Sequence, residues 1–84
     1  MMDQAQALER RLEQVRIARR LPSPAARQQI RKRAELTQSD VAQELGVTRE
    51  AVALWERGQR TPRLATAVAY VELLDRLSRE SLSS

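Results

Sequence analysis

The side chains best equipped for chemistry in this chain are its arginines. Fourteen of them, with Lys32 as the single lysine, stand against eleven acidic residues and give a formal charge of +4. An arginine presents a planar fork of donors that suits phosphate oxygens and the edge of guanine. Arg57, Arg60 and Arg63 lie close together with Gln59 among them. A small arginine-rich chain points toward nucleic acid, and on charge alone a merely solvated basic surface is an equal alternative. Other chemistries lack their residues. There is no His and no Cys, which removes disulfides and an ordinary zinc or iron–sulfur site, so neither a metal nor a cofactor is expected. Two glycines make no phosphate-binding loop, the carboxylates are scattered among arginines, and 84 residues hardly preorganise an active site. An enzyme is not expected. No apolar run approaches the roughly 20 residues of a membrane span, and the first residues lack a signal-peptide core. A cytoplasmic protein is expected.

The elements that must position these arginines read as helices. Ala, Leu, Glu, Gln and Arg dominate, Trp55 and Tyr70 are the only aromatics, and β-branched residues are sparse. An all-α chain follows, one domain with an appendage, whose small core needs good packing or a partner subunit. Pro22 and Pro24 around Ser23 set off residues 1–21. There Met1, Ala5, Leu8, Leu12 and Val15 repeat at intervals of 4, 3, 4 and 3, the seam of an amphipathic helix, and Arg19 breaks it. Three roles stay open for this segment: packing on its own domain, self-pairing in a dimer, or a disordered or partner-specific arm. Residues 78–84 are polar and are expected to form a flexible tail.

Between these ends the spacing predicts four helices. The first runs over 25–35 from a start at Ser23 or Pro24, with Ile30, Ala34 and the following Leu36 inward. Thr37 caps the second, with Asp40 completing a capping box, Val41, Ala42 and Leu45 inward, and Gly46 as its left-handed stop. Thr48 caps the third, 49–57, with Val52 and Trp55 inward and Gly58 at its end. Thr61-Pro62 opens the fourth, 63–77, with Leu64, Ala67, Val68, Val71, Leu74 and Leu77 inward. Two short helices joined through Gly46 make a helix-turn-helix.

The run Ile30-Arg31, Leu36-Thr37-Gln38, Val41-Ala42, Leu45-Gly46-Val47-Thr48, Val52, Trp55-Glu56-Arg57-Gly58 and Pro62, in order and in register, resembles the helix-turn-helix of the XRE-type regulators, the phage lambda repressor and Cro type. The resemblance covers residues 30–71, about half the chain. It implies a small four- to five-helix lambda-repressor-like DNA-binding domain over 22–77, here with an extra N-terminal helix. It places helix 49–57 in the DNA major groove. Thr48, Arg49, Glu50, Ala53 and Leu54 would then face the bases. Arg49 would bridge guanine O6 and N7. Glu50 would accept from cytosine, orient Arg49, or merely complement the helix dipole. Ala53 and Leu54 would meet thymine methyls, Leu54 being equally suited to a half-buried place. Gln38, with the free N–H groups of its helix start, Ser39, Arg57, Gln59, Arg60 and Arg63 would hold phosphates. Arg31 and Glu56 would form a structural ion pair, and Trp55 would be core.

Departures from the family pattern carry their own expectations. Glu35 stands where similar proteins have a small residue or Gly and is expected to lengthen the first helix. One long final helix replaces the family's last two, so the family's dimer does not carry over. The candidates for dimerisation are Leu8, Leu12 and Val15 on one side, and Tyr70, Leu73, Leu74 and Leu77 on the other. The expected function is a sequence-specific double-stranded DNA-binding transcriptional regulator, a homodimeric repressor reading a palindromic operator in a bacterial or phage setting at the nucleoid. The alternatives are an antitoxin that autoregulates its promoter, with residues 1–21 as its toxin-binding arm, or a restriction–modification controller.

Overall fold

The computed structural model describes residues 4–83, so Met1 of the predicted seam lies outside the described residues. It contains five helices: α1 (Gln4–Ala18), α2 (Pro24–Arg33), α3 (Gln38–Leu45), α4 (Arg49–Glu56) and α5 (Leu64–Ser83). Among the described residues there is no strand.

The starts of α2, α3 and α4 are written in side chains. The Ser23 hydroxyl accepts from the Ala26 N–H at 3.2 Å, and Pro24, which has no N–H to satisfy, takes the first position of α2. Thr37 and Asp40 form a reciprocal capping box: the Thr37 hydroxyl accepts from the Asp40 N–H at 3.0 Å, and the Asp40 carboxylate accepts from the Thr37 N–H at 2.8 Å. Donation to the carboxylate, from the Thr37 backbone N–H first and its hydroxyl second, holds the Asp40 carboxyl below the usual carboxylate range. The Thr48 hydroxyl accepts from Ala51 N–H at 3.1 Å.

The stops of α2, α3 and α4 share one geometry. A left-handed residue follows each helix, at Glu35 (φ 61°), Gly46 (φ 67°) and Gly58 (φ 72°). The next residue's N–H then reaches back to a carbonyl five residues earlier: Leu36 to Arg31 at 3.1 Å, Val47 to Ala42 at 2.9 Å, Gln59 to Leu54 at 2.9 Å. The expectation that Glu35 lengthens α2 is therefore corrected: the helix stops at Arg33 and Glu35 takes the left-handed turn itself. Two bonds enforce that turn, the Leu36 N–H to Arg31 and the Arg31 guanidinium onto the Leu36 carbonyl at 2.9 Å.

Helix α5 is the spine. Helices α1, α2 and α3 all pack on it, while α4 packs on α2 and α3. The core consists of Val41, Ala42, Val52, Trp55, Tyr70, Leu73, Leu74 and Leu77, with Leu21, Ile30, Ala34, Leu36, Leu45, Val47 and Ala51 packed around it. Two expectations change here. Tyr70, Leu73, Leu74 and Leu77 are 6% exposed or less, so they form no free dimer face. Their spread over more than one side of α5 is explained by the helices that surround it within one chain. The final helix also continues past Leu77 to Ser83, with no Pro or Gly after Pro62 to break it.

Helix α1 divides by length. Gln14, Val15, Ile17 and Ala18 are half-buried, whereas residues 4–13 are exposed. Arg20, just beyond the helix, pairs with Asp75 of α5 at 2.7 Å. Nine residues at about 100° each put Ile17 on the side opposite Leu8. The part of the apolar stripe at Ala5, Leu8 and Leu12 thus turns away from the domain, leaving Leu8 60% and Leu12 46% exposed, while Val15 at its end is half-buried.

Candidate nucleic-acid interface

The helix-turn-helix is locked by one buried constellation. The Arg31 guanidinium of α2 donates from Nε to Glu56 Oε2 at 2.7 Å and from Nη2 to Glu56 Oε1 at 2.9 Å. Gln38 at the start of α3 donates from Nε2 to the same Oε1 at 3.0 Å. Side-chain exposure is 10% for Arg31 and 1% for Glu56. A bidentate pair with a third donor ties the middle of α2, the first turn of α3 and the end of α4 into one unit. Burial pushes the Glu56 carboxyl upward, but the hydrogen bonds from Arg31 and Gln38 and the Arg31 charge outweigh it and hold the carboxyl below its ordinary value. The hydrogen bond to Glu56 raises Arg31 in turn. Arg31 and Glu56 thus meet as the resemblance implies, and the Gln38 side chain faces the ion pair.

Helix α4 buries Val52 and Trp55 and turns its first residues outward: Thr48, Arg49 and Glu50 are exposed. Ala53 and Leu54 are half-buried and so offer only part of their surface. The Thr48 oxygen is engaged in the cap, leaving its hydroxyl proton to donate outward. Among the described residues no carboxylate lies within ion-pair distance of Arg49, Arg57, Arg60 or Arg63. Arg49 and Glu50, although adjacent, point to different neighbours on a helix and form no pair.

The phosphate candidates lie in two places. At the start of α3, Thr37 satisfies the Asp40 and Val41 N–H groups, while those of Gln38 and Ser39 point out of the helix end without an acceptor among the described residues. After α4, Arg57, Gln59, Arg60 and Arg63 are all exposed, in a loop that buried Pro62 anchors to the domain. Both places flank the outward start of α4 in the chain order α3, α4, loop.

Sequence reasoning missed Arg27. It is only 6% exposed, and its guanidinium lies 5.5 Å from the centroid of the Tyr70 ring. Tyr70 in turn stacks at a tilt on Trp55, 5.8 Å between centroids. Burial raises the Tyr70 hydroxyl above its ordinary value, and the nearby Arg27 only partly opposes this. Arg27 Nε and Nη1 are buried without a hydrogen-bond partner among the described residues. The signal was present: Arg27 lies on the inward side of α2, four residues before Arg31 and three before Ile30. No grouping of His, Cys, Asp or Glu fit to hold a metal occurs among the described residues. No described helix is long and apolar enough to cross a membrane.

These features define a helix-turn-helix DNA-binding domain with an added helix in front. The helix-turn-helix family model matches residues 28–82, well over half of the chain, and the protein belongs to that family, the lambda-repressor-like XRE type. It is accordingly a DNA-binding transcriptional regulator. No curated protein and no solved structure matches the chain.

Proposed function

We propose that the protein is a dimeric, cytoplasmic repressor that reads a palindromic operator, with α4 in the major groove of each half-site. The observation that carries this is the start of α4: Arg49 is exposed and, among the described residues, unpaired at the outward end of a helix whose other end is fixed by Arg31 and Glu56. A guanidinium so placed can bridge guanine O6 and N7. Glu50 beside it accepts from a cytosine amino group, and Ala53 and Leu54 offer thymine-methyl contacts. The Gln38 and Ser39 N–H groups with Arg57, Gln59, Arg60 and Arg63 hold the backbone and set the register.

Selection of bound duplexes from a random library tests the reading: a palindrome with half-sites about 34 Å apart is expected. Arg49→Ala then separates base from phosphate contact. The variant should lose about 1–3 kcal/mol of preference for the selected site while random DNA is bound as before. Equal weakening on both DNAs would make Arg49 a phosphate ligand.

The exposed Leu8 and Leu12 favour one second reading, an antitoxin whose arm holds a toxin. A toxin gene beside this one, and a stable complex of the two products lost on Leu8→Gln, would select it.

A further inference from the structure

We infer that the exposed stripe of α1 is covered by α1 of a second copy of this chain, the two arms running antiparallel. The inference deepens the dimer reading above, because it supplies the two-fold axis that a palindrome requires.

Three observations converge on a second copy. Leu8 and Leu12 are the large hydrophobics left exposed among the described residues. They belong to a stripe, Ala5, Leu8, Leu12 and Val15, whose alternating spacing of three and four is that of a helix seam built to meet another helix. The opposite side of α1, through Ile17, is already committed to α5, and only Val15 of the stripe is half-buried, so no described part of the chain is left to cover Leu8 and Leu12.

Charge selects the orientation. In an antiparallel pair, Leu8 packs level with the partner's Leu12 and Ala5 with the partner's Val15. The flanking positions then bring Glu9 beside the partner's Arg16, and by symmetry this contact occurs twice. Only Arg11 meets its own copy, at the axis. In a parallel pair, Arg11 would instead lie beside the partner's Arg16 on both edges, and Glu9 would face only the partner's Gln4. Charges flanking the seam decide between such arrangements. Glu9 has no ion pair within the described chain. Arg16 touches Glu13 of its own helix at 2.8 Å and is 70% exposed in its side chain, which leaves most of its fork for a second carboxylate.

Four apolar side chains per arm make a small interface. The free dimer is therefore weak, with a dissociation constant on the order of tens of micromolar, and tightens when two half-sites hold the copies side by side.

The chain has no cysteine, so an introduced one reports the geometry. In Arg11→Cys the antiparallel pair brings the two thiols together across the axis, and mild oxidation of the full chain should yield a covalent dimer. In Ala5→Cys the two thiols lie about 15 Å apart along the pair, and the protein should stay uncrosslinked. The reverse pattern overturns the orientation, and no cross-link in either overturns the pairing. Sedimentation adds the charge test: Glu9→Arg should weaken self-association roughly tenfold, and Glu9→Arg with Arg16→Glu should restore it. An unchanged constant for Glu9→Arg overturns the assigned contact. All these positions are exposed, so helicity by circular dichroism should be unaltered.

Each variant is also measured on a single half-site and on the full palindrome. Specific half-site binding without arm pairing sinks this inference alone. Arm pairing without preference for any DNA sinks the operator reading instead.

Discussion

Glu56 shows how one buried carboxylate can fix three helices of a helix-turn-helix domain against one another. It receives three hydrogen bonds from two other helices while nearly excluded from water. Removing it leaves the Arg31 charge buried and unmatched, a loss of about 3–5 kcal/mol. Against a total stability of about 5–15 kcal/mol that is a large share, and chemical denaturation of Glu56→Ala should show it as a lowered midpoint. The double variant Arg31→Met with Glu56→Leu should recover most of the stability, because a buried pair replaced by matched apolar groups is often neutral. The same carboxyl gives the fold an acid limit. Its folded pKa lies below the ordinary 4.5, so its contribution is complete above that value and is lost as pH falls through the lower folded value. Asp40 shifts in the same direction and adds to the slope. Thermal midpoints should therefore fall below about pH 4.5, and less steeply in the double variant than in the parent. An identical acid slope in both would remove Glu56 as its source.

The helix boundaries follow local rules, and the exceptions mark where tertiary contacts override them. Glu35 holds a left-handed conformation that costs an L-residue about 1–2 kcal/mol. Glu35→Gly relieves this but frees the unfolded chain, so a net gain of about 0.5–1 kcal/mol is expected from denaturation midpoints. A loss would mean that the Glu35 side chain makes a contact outweighing the strain. The sequence disclosed the starts at Ser23, Thr37 and Thr48 and the stops at Gly46 and Gly58, because each depends on a side chain or a missing Cβ within one turn. It did not disclose the stop at Glu35, which the paired bonds between Leu36 and the Arg31 carbonyl and guanidinium impose. Nor could a periodic pattern tell which apolar sides of α5 face neighbouring helices and which face a second subunit, so Tyr70, Leu73, Leu74 and Leu77 read as interface until the packing showed them enclosed. Arg27 escaped for a related reason: a charged residue type argues for the surface, and only the ring of Tyr70 makes its inward position tolerable. The run from Ile30 to Pro62, in contrast, disclosed the helix-turn-helix.

At the scale of the whole molecule, basic charge and two-fold symmetry combine into one measurable number. The logarithm of affinity falls with the logarithm of salt by about 0.9 for each phosphate neutralised by a cation. Arg57, Arg60 and Arg63 are exposed and, among the described residues, without a carboxylate partner, so on the proposed interface each would release a counterion from DNA. On the proposed interface the N–H groups of Gln38 and Ser39 would hold phosphate without replacing a cation and would contribute little to the slope. Arg60→Ala should then flatten the salt dependence by about 0.9 if one copy binds, and by about 1.8 if a dimer spans the palindrome, since one substitution removes two contacts. The measurement is a titration of the selected duplex at several salt concentrations, parent beside variant. A half-site duplex should show the smaller change and the full palindrome the larger. An unchanged slope on both would take Arg60 off the backbone, and the smaller change on both would leave the protein reading its site as a single copy.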